Sequence, residues 1–235
     1  MKKTEWLWDL LFPRRCPVCD GVLRFGREDI CPECFGKVRF IREPVCMKCG
    51  KELTEEEEYC RDCAGKRHAY IQGAAVFEYT SVAASIYRFK YGGRQEYARF
   101  FGRCMAAELE GRMRRWQVQA LVPVPVHPSR KRKRGYNQAE LLAGVISSRT
   151  GIPVRKDIIV RQKKTAPQKE LNEKQRQNNL KKAFKILKND VKLDTIVIID
   201  DIYTTGSTID AMATMLHIAG VGRVYYAALA IGNGL

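Results

Sequence analysis

The chain has 235 residues, 45% of them hydrophobic, which is enough for one α/β domain beside a small second unit. No run of about eighteen apolar residues occurs, which excludes a transmembrane helix from the sequence pattern. The net charge of +16 is more than a soluble enzyme requires and points to a polyanionic partner. The N-terminal stretch to Pro13 carries Trp6, Leu7, Leu10 and Leu11 at the spacing of a short amphipathic helix that docks on the body. Glu5 and Asp9 interrupt its apolar run and no small-residue cleavage site follows, so it does not read as a signal peptide.

Eight of the nine cysteines form four CxxC pairs: Cys16/Cys19, Cys31/Cys34, Cys46/Cys49 and Cys60/Cys63. Two such pairs make one closed tetrahedral site, and structural Zn²⁺ there supplies folding energy that so short a segment cannot draw from a core. Disulfides would require export, and a redox CxxC comes singly. Sequential and cross-braced connectivities both fit the spacing, and both use all eight thiolates. The pattern predicts a double zinc ribbon over residues 1–68 and a second domain over 69–235. Cys104, in a helical stretch, reads as a small core residue.

Within the second domain, Ile71 to Tyr79 alternates as a strand. Ser81 is placed to cap a helix carrying Val82, Ile86 and Phe89, which stops at Tyr91-Gly92-Gly93. A longer helix is expected from about Gln95 to Trp116. Leu121 to Val126 reads as a strand that enters a basic loop, His127 to Gln138, before a helix from Ala139 to Ser148. Strand, loop and helix in this order suit an anion, with Val126 and His127 at the turn and Arg130 to Arg134 as its cations. Between His127 and Lys182, 16 Lys/Arg face 4 Asp/Glu, a window that suits either a nucleic-acid backbone or small anionic substrates. Ile158 to Val160 reads as a strand. Arg161 to Lys182 has few apolar residues and reads as either a mobile functional loop or disorder.

Ile196 to Ile199 is a strand buried on both faces, and Asp200 and Asp201 sit where it ends. The turn Thr204-Thr205-Gly206-Ser207-Thr208 leads into a helix with Ile209, Met212 and Leu216 on one face. Backbone N–H groups, hydroxyls and the positive helix end suit a phosphate, and Gly206 lets the backbone come close. The paired carboxylates suit ribose hydroxyls or a hydrated Mg²⁺. Val224 to Ile231 closes the sheet.

The Ile196–Thr208 segment resembles the phosphoribosyl pyrophosphate (PRPP) motif of the type I phosphoribosyltransferases. That resemblance implies a Rossmann-like parallel sheet, a pyrophosphate loop after Leu121–Val126, and a mobile loop in which Lys163, Lys164, Lys169 and Arg176 meet the pyrophosphate. In an active enzyme, Asp200 and Asp201 would be catalytic, while Thr204–Thr208 with Val126, His127 and Arg134 would bind PRPP with Mg²⁺.

More of the chain is similar to the ComF family. The resemblance rests on four CxxC pairs after Leu-Phe-Pro13, Lys90-Tyr91-Gly92, Leu121–Val126 with Arg134-Gly-Tyr-Asn-Gln-Ala139, Thr165-Ala-Pro-Gln168, Arg176–Phe184 and the Asp200-Asp201 motif. It implies a cytoplasmic bacterial protein of natural competence that binds single-stranded DNA beside a DNA-translocating helicase. Two readings follow. One is a PRPP-using transferase whose acceptor no stretch identifies. The other is a nucleic-acid adaptor in which the basic window tracks the strand and Tyr136 stacks a base.

Overall fold

The computed structural model of the chain describes residues 13–23, 29–54, 57–162, 183–188 and 191–232. The expected helix around Trp6–Leu11 and the candidate cations Lys163, Lys164, Lys169 and Arg176 lie outside these residues.

The chain adopts the expected α/β class, a parallel sheet preceded by a Cys-rich segment. After a one-turn helix α1 (Pro32–Phe35) come β1 (Gly73–Glu78), α2 (Tyr79–Tyr91), α3 (Tyr97–Arg115) and β2 (Ala120–Pro123). Next are α4 (Pro128–Arg134), α5 (Gln138–Thr150), β3 (Ile159–Arg161) and β4 (Phe184–Ile186). The chain then forms β5 (Thr195–Tyr203), α6 (Ser207–Ile218) and β6 (Arg223–Ile231). The main sheet runs β1–β6–β5–β2 with every pair parallel, and β3 pairs antiparallel with β4. Strand β6 was expected to close the sheet; it lies inside it, with β1 beyond.

A parallel sheet must be covered on both faces. Val197 and Ile199 of β5 pack with Phe101, Met105, Leu142 and Ile146 of α3 and α5. Ile196 and Ile198 pack on the opposite side with Ile209, Met212 and Leu216 of α6. That second cluster also contains Cys46, Cys49, Cys60, Cys63 and Tyr70. The second ribbon therefore covers part of the sheet face. Residues 39–41 also line the outer edge of β1: Ile41 N–H donates to the Val76 carbonyl, and Glu78 N–H to that of Arg39.

The first ribbon is held by apolar packing of Val18 and Ile30 on the α2–α3 cluster and by polar contacts. Asp20 accepts from Arg94 at 2.8 and 2.9 Å and from the Tyr97 hydroxyl at 2.5 Å, while Asp29 pairs with Arg99 at 2.8 Å and with Arg103.

Three local expectations change. Helix α2 starts at Tyr79, so Ser81 lies in its first turn, where its hydroxyl donates to the Glu78 carbonyl and accepts from Arg39 N–H. The basic run is a short helix, α4, instead of an open loop. Strand β5 continues to Tyr203, so the two acids stand inside it.

Topology locates a crevice. From β2 the chain crosses through α5 to Val154, which bridges Leu121 on the edge of β2 away from β5. From β5 it crosses through α6 to β6 in the opposite direction. The carboxyl ends of β2 and β5 thus flank the switch point of the sheet, where open α/β folds bind ligands.

Candidate functional site

Two strand–loop–helix units meet at this switch point. Below the first loop, Val124 N–H donates to the Ile199 carbonyl at 2.9 Å, continuing the β2–β5 pairing. Val126 and His127 follow, both partly buried. His127 is the N-cap of α4: its Nδ1 accepts from Ser129 N–H at 3.2 Å, and its carbonyl accepts from the N–H groups of Arg130 and Lys131. Gly135, left-handed at φ 83°, ends that helix. The next residues clasp the loop to the body. Tyr136 Oη and Gln138 Nε2 both donate to the Phe89 carbonyl, at 2.7 and 3.1 Å. Asn137 donates to the Val124 carbonyl and caps α5 through Ala139 N–H. Tyr136 is only 8% exposed, so the expected base-stacking role does not fit it. Its ring serves packing and its hydroxyl holds α2. A cavity of about 760 Å³ opens beside this loop, lined in part by Pro125, Val126, Lys131, Arg132, Lys156 and Arg161.

In the second unit, Asp201 N–H donates to Asp200 Oδ1 at 2.8 Å, and Asp201 Oδ1 pairs with Lys90 Nζ at 2.8 Å. Burial, then the charge of Asp201, pushes the Asp200 carboxyl up to about 7, with Lys90 and Arg161 pulling the other way. Arg161 in turn is lowered, by burial and then by repulsion from Arg130. Two cations from separate elements, Lys90 and Arg161, thus act on the acid pair, and Arg130 acts on Arg161. Lys90 and Arg161 were not among the site residues read from the sequence. Lys90 had a signal, its place at the end of a helix beside Tyr91-Gly92, but its partner is distant in sequence.

The phosphate-type loop follows. Thr204 and Thr205 are exposed, and Thr205 Oγ1 and Ser207 Oγ lie 2.9 Å apart. Gly206 (φ 77°) is the N-cap of α6 and Asp210 N–H donates to its carbonyl, while Ser207 and Thr208 occupy the first turn. A Cβ on Gly206 would stand 2.5 Å from the Tyr203 hydroxyl, so only glycine fits.

Tyr203 ties this loop to the second ribbon. Its hydroxyl is 2.7 Å from that of Tyr70, and its ring stacks on Tyr226 at 4.7 Å. Tyr226 donates to the Cys49 carbonyl at 2.7 Å. Asp210, in the first turn of α6, contacts His68 Nδ1 at 2.8 Å and accepts from Ala69 N–H at 2.9 Å. The ribbon therefore buttresses the helix end on which the loop sits.

Arg134 meets Tyr91 and Gln138. Its guanidinium is 4.8 Å above the ring of Tyr91, and its Nη1 donates to Gln138 at 3.1 Å.

The cysteines assemble sequentially, Cys16/Cys19/Cys31/Cys34 and Cys46/Cys49/Cys60/Cys63, with the sulfurs of each set within 4.8 Å of one another. Tetrahedral Zn–S bonds of about 2.3 Å put sulfurs roughly 3.8 Å apart. Separations of 3.4 and 3.7 Å in the first set and 3.6 Å in the second fit that ion. Both sets are closed by four thiolates, the arrangement of a structural site.

Comparison with known proteins matches residues 7–64 to the double zinc ribbon domain and residues 136–234 to the phosphoribosyl transferase domain. Competence protein F of Haemophilus influenzae is 30% identical over 181 residues, covering 74% of this chain and 79% of that protein. DNA utilization protein YhgH of Salmonella typhimurium is 31% identical over 169 residues, 70% of this chain and 74% of that one. Competence protein ComFC of Streptococcus pneumoniae is 28% identical over 175 residues, 73% and 74% of the two chains.

Proposed function

The chain belongs to the ComF family, and from that premise we propose that it binds PRPP or a related phosphoribose at the β2–β5 crevice and carries single-stranded DNA during DNA uptake. The observation that supports it most is the second unit itself: an acid pair met by Lys90 and Arg161, directly followed by a glycine-bent loop on a helix N-terminus. The loop of Thr204 to Thr208 would take the 5′-phosphate through N–H groups and hydroxyls. Asp200 and Asp201 would face the ribose hydroxyls, with Val126, His127 and the cations nearest the pyrophosphate.

The donor set suits Mg²⁺, since two carboxylates supply hard oxygens and Asp200 is held near neutrality until a cation is present. The ion supplies charge neutralisation on the pyrophosphate. Residues 69–235 form the ligand-binding unit in this reading, and residues 1–68 the zinc-held buttress. The setting is cytoplasmic, beside a DNA-translocating helicase.

Calorimetry with Mg·PRPP tests the first half. Saturable heat is expected, and the double substitution Asp200→Asn with Asp201→Asn should abolish it in a chain that still folds. Absence of heat from the unmodified chain refutes the phosphoribose reading. For DNA, affinity should fall steeply with salt. Changing the five cations Arg130 to Arg134 to Ser should reduce the slope of log K against log salt by up to about 3.5. Salt-independent binding, or none, refutes the DNA half.

A second reading, turnover of PRPP, is favoured by the meeting of carboxylates and cations in one crevice. The acids would stabilise positive charge on the ribose carbon, and Arg130 and Arg161 negative charge on departing pyrophosphate. Screening nucleobases and DNA for pyrophosphate release decides it.

A further inference from the structure

Helix α2 buries Val82, Ser85, Ile86 and Phe89, the i, i+3, i+4, i+7 stripe of an amphipathic helix. Its opposite face should be polar. Instead it carries Tyr87 and Tyr91, 65% and 59% exposed, more than any other aromatic side chain among the described residues. Their rings are in contact, with centroids 5.1 Å apart and planes tilted by 48°. The Arg134 guanidinium lies 4.8 Å above Tyr91. Mutual contact at i, i+4 steadies a helix slightly, yet it gives no reason to leave two large rings in water.

Their position supplies the reason. Tyr91 directly follows Lys90, whose ammonium reaches Asp201, so the pair sits on the helix that carries a cation to the acid pair. Arg134 is the last of five consecutive cations, and Lys131, Arg132 and Lys133 before it are exposed. An aromatic pair at the end of a cationic track is what an unpaired strand requires: charge for the phosphates, and flat apolar faces for bases of any identity. Arginine stacked on one of the rings extends that flat surface.

We propose that Tyr87 and Tyr91, with Arg134, form a stacking platform for the unpaired bases of single-stranded DNA, fed along the basic α4. This rests on the DNA-binding reading above and assigns it a site. The platform explains why Tyr136, although only two residues after Arg134 in sequence, is free to serve as a buried clasp.

The test compares two oligonucleotides of equal length and charge, one of thymidines and one abasic, by fluorescence anisotropy on the zinc-loaded chain. The thymidine strand should bind more tightly. Tyr91→Ala should weaken it roughly 5- to 150-fold, the range for losing one stacked base, while Tyr91→Phe retains most of the affinity. Tyr87→Ala should act in the same direction. The salt slope should stay unchanged in all three variants, because no phosphate contact is removed. Equal binding of the two strands, or a Tyr91→Ala variant that binds thymidines as the unmodified chain does, overturns the platform and leaves the DNA reading standing. Failure of the unmodified chain to bind either strand refutes both.

Discussion

Asp200→Asn should make the free protein more stable at neutral and alkaline pH while it removes a proposed ligand for Mg·PRPP. In the folded chain the Asp200 carboxyl is raised to about 7 by burial and by Asp201; unfolded, it titrates at about 3.9. Between these values the folded state keeps a proton that the unfolded state has released. Stability therefore falls as pH rises from about 4 to about 7, and the penalty is fully present above that. Three pKa units at about 1.36 kcal/mol each set a ceiling of roughly 4 kcal/mol. Partial exposure and coupling to Asp201 reduce the expected effect to about 1–2 kcal/mol. Asparagine keeps an oxygen to accept from Asp201 N–H, so the swap leaves that hydrogen bond in place. The assay is urea denaturation of both zinc-loaded proteins from pH 5.5 to 8. The stability difference should grow with pH in favour of the variant and level off near pH 8. A variant less stable than the parent at pH 8, or a difference that does not change with pH, refutes the reasoning.

Removing Lys90 acts on the same pair from the other side. Lys90→Met deletes the 2.8 Å partner of Asp201 and a cation that lowers Asp200, so the midpoint of the pH dependence of Mg·PRPP binding should move upward from about 7 in calorimetry between pH 6 and 9. Gly206→Ala should cost about 2–4 kcal/mol in thermal or urea unfolding, combining a left-handed alanine with the collision against Tyr203. Gly65→Ala, at φ 74° with open space around it, should show only the left-handed part of about 1–2 kcal/mol; equal losses at the two sites would remove Tyr203 from the account. Tyr226→Phe strips the Cys49 carbonyl of its buried donor and should cost about 1–3 kcal/mol, measured as a shift in urea midpoint. Metal analysis should find two zinc ions per chain and one in Cys46→Ser, whereas a count of one in both would show that the second set holds no ion.

The candidate site was legible where its chemistry is contiguous. A phosphate loop on a helix N-terminus needs strand, acids, glycine and hydroxyls in one register, so Ile196–Thr208 could be read directly. The CxxC pairs were legible for the same reason, since chelation by two near cysteines is a local geometry. The Val82, Ile86 and Phe89 stripe turns Tyr87 and Tyr91 outward, whereas the sequence reading points to Tyr136 as the base-stacking residue. Tyr136 follows a left-handed glycine that swings it under α2, and a sequence pattern does not show that turn.

The fold class, the eight thiolates and the two strand–loop–helix units each follow from spacing along one stretch of backbone, so the amino-acid order alone specifies them. Tertiary structure decided what those pieces do to one another. It selected sequential zinc sets over cross-braced ones and put β6 inside the sheet. It brought Lys90 and Arg161 to the acid pair and laid the Tyr70–Tyr203–Tyr226 cluster between ribbon and phosphate loop. The physical reason is common to all four. They arise from packing and charge pairing between segments far apart in the chain, and those are set only when the two faces of the sheet are covered. The Ile196–Thr208 motif specifies a strand, an acid pair and a glycine-bent loop, whereas the surroundings that hold its carboxyl near pH 7 and its glycine against Tyr203 belong to the folded molecule.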